Sequence, residues 1–124
     1  MREIRFRGKR VDNGEWVYGY FLIAASMPFI SVFGEMNPIL VIPESVGQFT
    51  GLHDKNGKEV YEGDILRIKG RYFRKTIQED MVVEYDESRA WFGVLDVLHT
   101  VSLNNFDFED DVEIFGNIHD MEAL

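Results

Sequence analysis

The chain is broken into short apolar runs by turn-forming residues, and no stretch of 12 or more residues carries apolar side chains at the helical spacing of three and four. Between Val46 and Arg67 alone there are four glycines, Gly47, Gly51, Gly57 and Gly63, and two turn signals, Asp54-Lys55-Asn56-Gly57 and Glu62-Gly63-Asp64. Asn and Gly accept the backbone geometry of tight turns at little cost, so such punctuation returns the chain on itself every few residues. A chain of this kind builds sheets.

The runs between the turns alternate as half-buried strands do. Ile4 and Phe6 alternate with Glu3, Arg5 and Arg7, and Asp12-Asn13-Gly14 gives a tight turn into a long aromatic strand from Glu15 to Ala25. Trp16, Tyr18, Tyr20 and Leu22 line one face of that strand and Val17, Phe21 and Ile23 the other, which predicts a central strand covered at least in part on both sides. Pro28, Pro38 and Pro43 punctuate Phe29 to Phe33 and Ile39 to Ile42, which predicts a hairpin near a sheet edge with Gly34 to Asn37 as its loop, and a helical turn at Pro43-Glu44-Ser45. Gln48 to Leu52 and Lys58 to Tyr61 return close together around the Asp54 turn, and Ile65 to Lys69 follows. Gly70 to Thr76 reads as a basic, irregular loop or hairpin tip. A hairpin about Asp86-Glu87-Ser88-Arg89 and strands over Leu98 to Leu103 and Val112 to Ile118 complete the pattern. The expected fold is mostly β with little helix, a small, partly open β-barrel or barrel-like sheet assembly, because eight to ten short strands must close or fold over to bury their apolar faces. The order turn, Glu62-Gly63-Asp64, strand also resembles the opening of SH3-like barrels.

At 124 residues with 45% apolar content, the chain suits one domain, spanning 1 to 124, with one core of its own. The absence of cysteine removes disulfides, thiolate metal sites and thiol nucleophiles. The longest apolar run, Phe21 to Ala25, falls far short of the roughly 20 residues of a spanning helix. Bases and acids are interleaved from Met1 to Arg5 with no signal-like run after them, so a soluble, cytoplasmic protein is expected. Charge is distributed unevenly: 12 bases and 9 acids up to residue 78, then one base and 13 acids, for an overall net charge of -9. The bases cluster at Arg2, Arg5, Arg7, Lys9, Arg10 and at Arg67, Lys69, Arg71, Arg74, Lys75. Pairing with the acidic strands, across a sheet or between subunits, is the first reading of these clusters.

Several segments resemble the YopX family: Met1 to Arg10, Asn13-Gly14-Glu15-Trp16-Val17-Tyr18-Gly19, the Val46 to Arg67 segment, and Phe115-Gly116-Asn117-Ile118-His119. They come in the right order and cover about half the chain, while residues 24 to 42 and 70 to 108 match no pattern. The resemblance implies a small β-rich protein encoded by phage, prophage or other mobile elements, with no established activity. Gln48, Thr50, Asn56 and Asn117 are polar residues inside these motifs and form a candidate recognition surface, the alternative being that they satisfy turn backbone.

No catalytic constellation is assembled. There is no Gly-x-Ser-x-Gly elbow, Walker loop or Gly-x-Gly-x-x-Gly, and His53, His99 and His119 lack metal-ligand spacing. In Asp54-Lys55-Asn56-Gly57 the glycine comes too early for a calcium loop. The acidic run Asp107, Glu109, Asp110, Asp111 reads as a solvated loop. The expectation is therefore a non-enzymatic protein-interaction module of a phage or mobile element, self-associating, with no metal, no cofactor and no membrane. One alternative is a single-strand nucleic-acid binder using Arg67, Lys69, Arg71, Tyr72, Phe73, Arg74 and Lys75, with the aromatics stacking on bases; a variant makes the acidic residues 79 to 124 a nucleic-acid mimic. Another is a small hydrolase around Glu62, Asp64 and a histidine.

Overall fold

The computed structural model describes residues 3–72, 75–95, 100–103, 106–108 and 110–121. In chain order the elements are β1 (Phe6–Lys9), β2 (Trp16–Ala24), β3 (Met27–Ser31), β4 (Ile39–Leu40), a 3-10 turn (Pro43–Ser45), β5 (Gly47–His53), β6 (Glu59–Tyr61), β7 (Asp64–Tyr72), β8 (Lys75–Asp86), β9 (Trp91–Leu95), β10 (Thr100–Ser102), β11 (Val112–Asn117) and α1 (Ile118–Met121). They form two antiparallel sheets, ordered β4-β3-β2-β1-β5-β6 and β10-β9-β8-β7-β11. The mostly-β class read from the sequence is the class observed, without a closed barrel. Among the described residues no helix is long and apolar enough to cross a membrane. Packing divides the chain into two compact units, residues 1–51 and 52–124.

In the first unit β2 lies between β1 and β3. The sheet curls. Val11 N–H donates to the Leu40 carbonyl at 3.1 Å and Ile42 N–H to the Lys9 carbonyl at 2.8 Å, around an isolated Arg10↔Val41 bridge. Ile30 and Val41 are buried on the inner face, with the Phe6 and Phe21 rings 5.6 Å apart. Two glycines make this curl possible. A Cβ on Gly8 would sit 3.0 Å from the Val41 Cβ, and one on Gly19 would collide with the Ser31 carbonyl oxygen. The first strand thus starts later than its alternation suggested: Ile4 is exposed, whereas Arg7 and Gly8 are buried. The long aromatic strand is covered in part on both faces, as expected, with Trp16 and Leu22 on one and Val17 and Phe21 on the other half-buried, while Tyr18 and Tyr20 are exposed. The side-chain hydroxyl of Ser45, in the expected helical turn, accepts the Lys9 N–H at 2.8 Å and so ties that turn to β1.

The second unit has the larger core. Val60, Leu66, Ile68, Val83, Phe92, Val94, Leu103, Phe108 and Val112 pack together. Their strand partners are in matching register: Ile68 opposite Val112, Val83 opposite Val94, Leu66 opposite Met81. Alternation along each strand therefore delivers one apolar face to one core. Of the two readings of Gly70 to Thr76, an irregular loop or a hairpin tip, the hairpin is the one observed. The β7–β8 ladder continues through Gly70↔Ile77 and Arg71↔Thr76 to Tyr72↔Lys75, because backbone pairing begun under the core propagates down the hairpin regardless of the polar sequence. The hairpin about Asp86 is present, its carboxylate accepting the Ser88 and Arg89 N–H groups. Helix α1 follows directly on β11, so the segment read as strand to Ile118 ends at Asn117.

The β2–β3 connection was not legible. Ala24 pairs with Met27, leaving a two-residue turn, Ala25-Ser26, with φ values of 50° and 64°. Both are left-handed, the region where Asn and Gly are at home and Ala is strained. The double change Ala25→Asn, Ser26→Gly is expected to raise stability by about 1 kcal/mol, read as a higher denaturant midpoint with unchanged slope; a lower midpoint would contradict this turn geometry.

Candidate interaction surface

The loop between β3 and β4 holds two large apolar side chains in water. Phe33 and Met36 are each 97% exposed. Their backbone is set by a turn in which Glu35 N–H donates to the Val32 carbonyl at 3.1 Å, with Gly34 at φ 86° at the corner. A glycine in this third position permits the turn and pushes the preceding side chain, Phe33, outward. Pro38 follows and leads into β4. Beside the loop lies a cleft of ≈ 510 Å³ lined by Val11, Met36, Pro38, Ile39 and Leu40, with Arg10, Asp12 and Glu35 among its polar residues. The Arg10 guanidinium clasps the Asp12 carboxylate through two hydrogen bonds of 2.9 and 2.8 Å, which holds that carboxyl below its ordinary range. The Arg10 and Asp12 charges are thus closed on each other, and the cleft offers both apolar contact and the polar groups of Glu35 and Asn37. The sequence marked 34 to 37 as a loop; the signal it offered and that went unread was a pair of bulky apolar residues bracketing a Gly-Glu corner.

The polar residues singled out from the motifs are divided between the two units. Gln48 and Thr50 lie on β5 within the first unit, both half-buried, whereas Asn56 and Asn117 belong to the second. Asn117 is buried and caps α1: its Oδ1 accepts the Asp120 N–H at 2.9 Å while its Nδ2 donates to the Asp120 carboxylate at 2.7 Å, a reciprocal cap. Asn56 lends its backbone N–H to the Asp54 turn.

The basic patch is only partly described. Phe73 and Arg74 lie outside the described residues, and Lys69, Arg71, Tyr72 and Lys75 are placed by backbone alone, on β7 and β8. Arg67 is engaged. It makes two hydrogen bonds to Asp80 at 3.0 and 3.2 Å, faces Glu113 in register across β11, and its guanidinium lies 4.2 Å from the Phe115 ring centroid. Lys55 meets Glu113 at 3.4 Å, so basic and acidic residues alternate across the outer face of three strands. In the first unit Arg5 pairs with Glu3 at 3.0 Å, and the Arg7 and Lys9 cations lie over the Trp16 ring at 4.6 and 5.6 Å. Glu62 and Asp64 flank their turn glycine; Asp64 is buried and its carboxylate accepts the Tyr61 N–H at 2.8 Å. Among the described residues no group of three or more His, Asp or Glu side chains is placed to hold a metal ion. His99 and Glu109 lie outside the described residues.

The family model described as YopX protein matches residues 5–124. The chain belongs to the YopX family. No curated protein matches it. The central motif of this YopX chain, residues 46–67, is explained by one carboxylate in it. Asp54 is buried, and one of its oxygens accepts the Asn56 and Lys58 N–H groups, each at 2.9 Å, while the other accepts the Ile114 N–H of β11 at 3.0 Å. Lys55 N–H returns a bond to the Val112 carbonyl at 2.9 Å. Both oxygens of the residue that heads the calcium-loop-like stretch are thus spent on backbone donors. Burial alone would push the Asp54 carboxyl up, but the Ile114, Lys58 and Asn56 amides, with the Lys58 charge, outweigh it and hold the carboxyl below its ordinary value of 3.8.

A carboxyl depressed on folding adds stability above its unfolded pKa and loses it as pH falls through the lower, folded value. Asp54→Asn is therefore expected to cost on the order of 3 kcal/mol at neutral pH, since it removes the charge and replaces one of the two accepting oxygens with a donor that faces a backbone amide. The gap between wild type and variant should close as pH drops below about 3.8. Urea unfolding at a series of pH values checks this; a gap independent of pH would mean that the ionised form is not what holds the turn.

Proposed function

We propose that this YopX-family protein is a non-catalytic accessory module of a phage or other mobile element that works in the cytoplasm by binding a protein partner. The observation that carries the reading is the exposure of Phe33 and Met36 on a hydrogen-bonded turn beside a cleft of mixed polarity. Burying a side chain of this size against a partner recovers about 1.5–3 kcal/mol, and contiguous exposed apolar patches mark interaction sites. An anionic polymer is a poor match for this surface, because the chain carries a net charge of -9 and the Arg10 charge beside the cleft is already paired. The test compares wild type with the double variant Phe33→Ser, Met36→Ser as bait in lysate of the host during induction of the element, read by mass spectrometry. The variant should fold within about 0.5 kcal/mol of wild type, as surface changes do, and lose the captured protein; equal capture by both would refute this loop as the binding surface.

A second reading, single-strand nucleic-acid binding, draws on one observation. β11 pairs with β7 over Asp64 to Ile68 and β9 with β8 over Val83 to Asp86, while the β7–β8 ladder runs on to Tyr72↔Lys75, so the backbone positions of Lys69, Arg71 and Lys75 lie on a two-stranded ribbon. A gel shift with single-stranded DNA at low salt, abolished by Lys69→Glu with Arg71→Glu, would favour it; no shift at low salt ends it.

A further inference from the structure

Asn56 and Gly57 form the exposed corner of the turn that Asp54 clamps to β11. An asparagine followed by glycine can react with its own backbone, because no side chain on the next residue shields the attacking nitrogen. We propose that Asn56 is a site of self-modification, losing ammonia to become aspartate or isoaspartate, and that the isoaspartyl form opens the Asp54 clamp and releases β11 from the turn. The reaction uses the turn and water alone. Hydroxide removes the Gly57 amide proton, the nitrogen bonds to the Asn56 side-chain carbonyl carbon, and ammonia leaves with a proton returned through solvent. Water then opens the cyclic imide. Cleavage at the side-chain carbonyl gives aspartate in the ordinary backbone, and cleavage at the main-chain carbonyl gives isoaspartate, whose chain runs through the former side chain.

The other asparagines among the described residues are less suited. Asn37 precedes Pro38, whose nitrogen has no proton to lose. Asn117 is buried, has both amide atoms bonded to Asp120, and precedes the branched Ile118. Asn13 is the close comparison, exposed and followed by Gly14. Each glycine N–H is held by one turn bond that must open first, Gly14 to the Arg10 carbonyl at 2.9 Å and Gly57 to the Asp54 carbonyl at 3.0 Å. Two features separate the sites. The Asn13 Oδ1 accepts the Glu15 N–H at 2.9 Å, whereas among the described residues Asn56 gives the turn its backbone N–H and no side-chain bond. Glu15 disfavours an amide anion at Gly14, while Lys58 stands in the same place after Gly57 and favours one.

The clamp is sensitive to this change. One Asp54 oxygen accepts both the Asn56 and the Lys58 N–H, each at 2.9 Å. An isoaspartyl link lengthens the main chain by a methylene between these donors, so a single oxygen no longer reaches both, and a new carboxylate arrives beside Asp54. The other Asp54 oxygen holds the Ile114 N–H at 3.0 Å, and a displaced carboxylate gives that bond up. Because ammonia is lost, the change runs one way, and it quickens as pH rises.

The test incubates the full chain at mildly alkaline pH, separates the acidic forms by anion exchange, and locates the modified residue by peptide mass spectrometry. Asn56 is expected to convert several-fold faster than Asn13, and the Asn56→Ser protein to form acidic species several-fold more slowly than wild type. Hydrogen exchange at the Ile114 amide reads the clamp. Its protection should be lost in the isoaspartyl form and kept in Asn56→Asp, which adds the charge without altering the backbone path. Conversion of Asn13 at an equal or greater rate, a chain that stays unmodified, or an isoaspartyl form with Ile114 protected as in wild type overturns the proposal. Equal loss of protection in Asn56→Asp overturns it too, by tracing the opening to charge and not to the lengthened backbone.

Discussion

The second unit is organised around a carboxylate with no solvent to fall back on. Asp54 closes its own turn through Asn56 and Lys58 and in the same stroke takes an amide from β11, 60 residues away. A turn motif and the far end of the chain are thereby fixed together by one side chain, and Lys55 reinforces the contact from its backbone. The neighbouring glycine turn is tied in the same way, with Gly63 donating to Val83 and accepting from Ile118. Burial makes these bonds matter: an ionised group removed from water must find every partner within the protein, so geometry that fails to supply them is excluded.

The first unit reaches order by a different route. Its sheet has little apolar depth, with Ile30, Val41 and Phe49 as its deeply buried apolar side chains, and it compensates by curling until residues 40–42 meet the end of β1. Gly8 and Gly19 allow the close approaches, and the turn at Ala25-Ser26 adopts the primed geometry that strand twist requires in spite of its residues. The outer side of such a thin layer cannot be wholly covered. Tyr18, Tyr20, Phe33 and Met36 remain in water, and of these four Met36 lines a recess.

Several candidate residues found their partners once their surroundings were known. Arg67 belonged by sequence to a basic cluster first read as pairing with the acidic strands, and Asp80 and Glu113 face it from both neighbouring strands. Asn117 and Asp64 looked available for recognition or acid–base work and are employed in capping and turn closure. For Arg67 the residue type was informative and the partner was not visible, since a cross-strand neighbour 13 positions away is set by register.

What the linear chain settled by itself was local: β character from alternation, turns at Asn13-Gly14 and Asn56-Gly57 from glycine and asparagine chemistry, the short turn at Pro43, and membership of the YopX family from ordered motifs. Only the folded arrangement decided the β2–β3 turn, the extent of the β7–β8 ladder, the pairing of Arg67, and the pairing of an exposed loop with a cleft. The division has a physical cause. Periodicity and turn propensity act over a few neighbouring residues and are written in their order, whereas register, curvature and solvent exposure arise from contacts between segments far apart in the chain, whose energies no single segment contains.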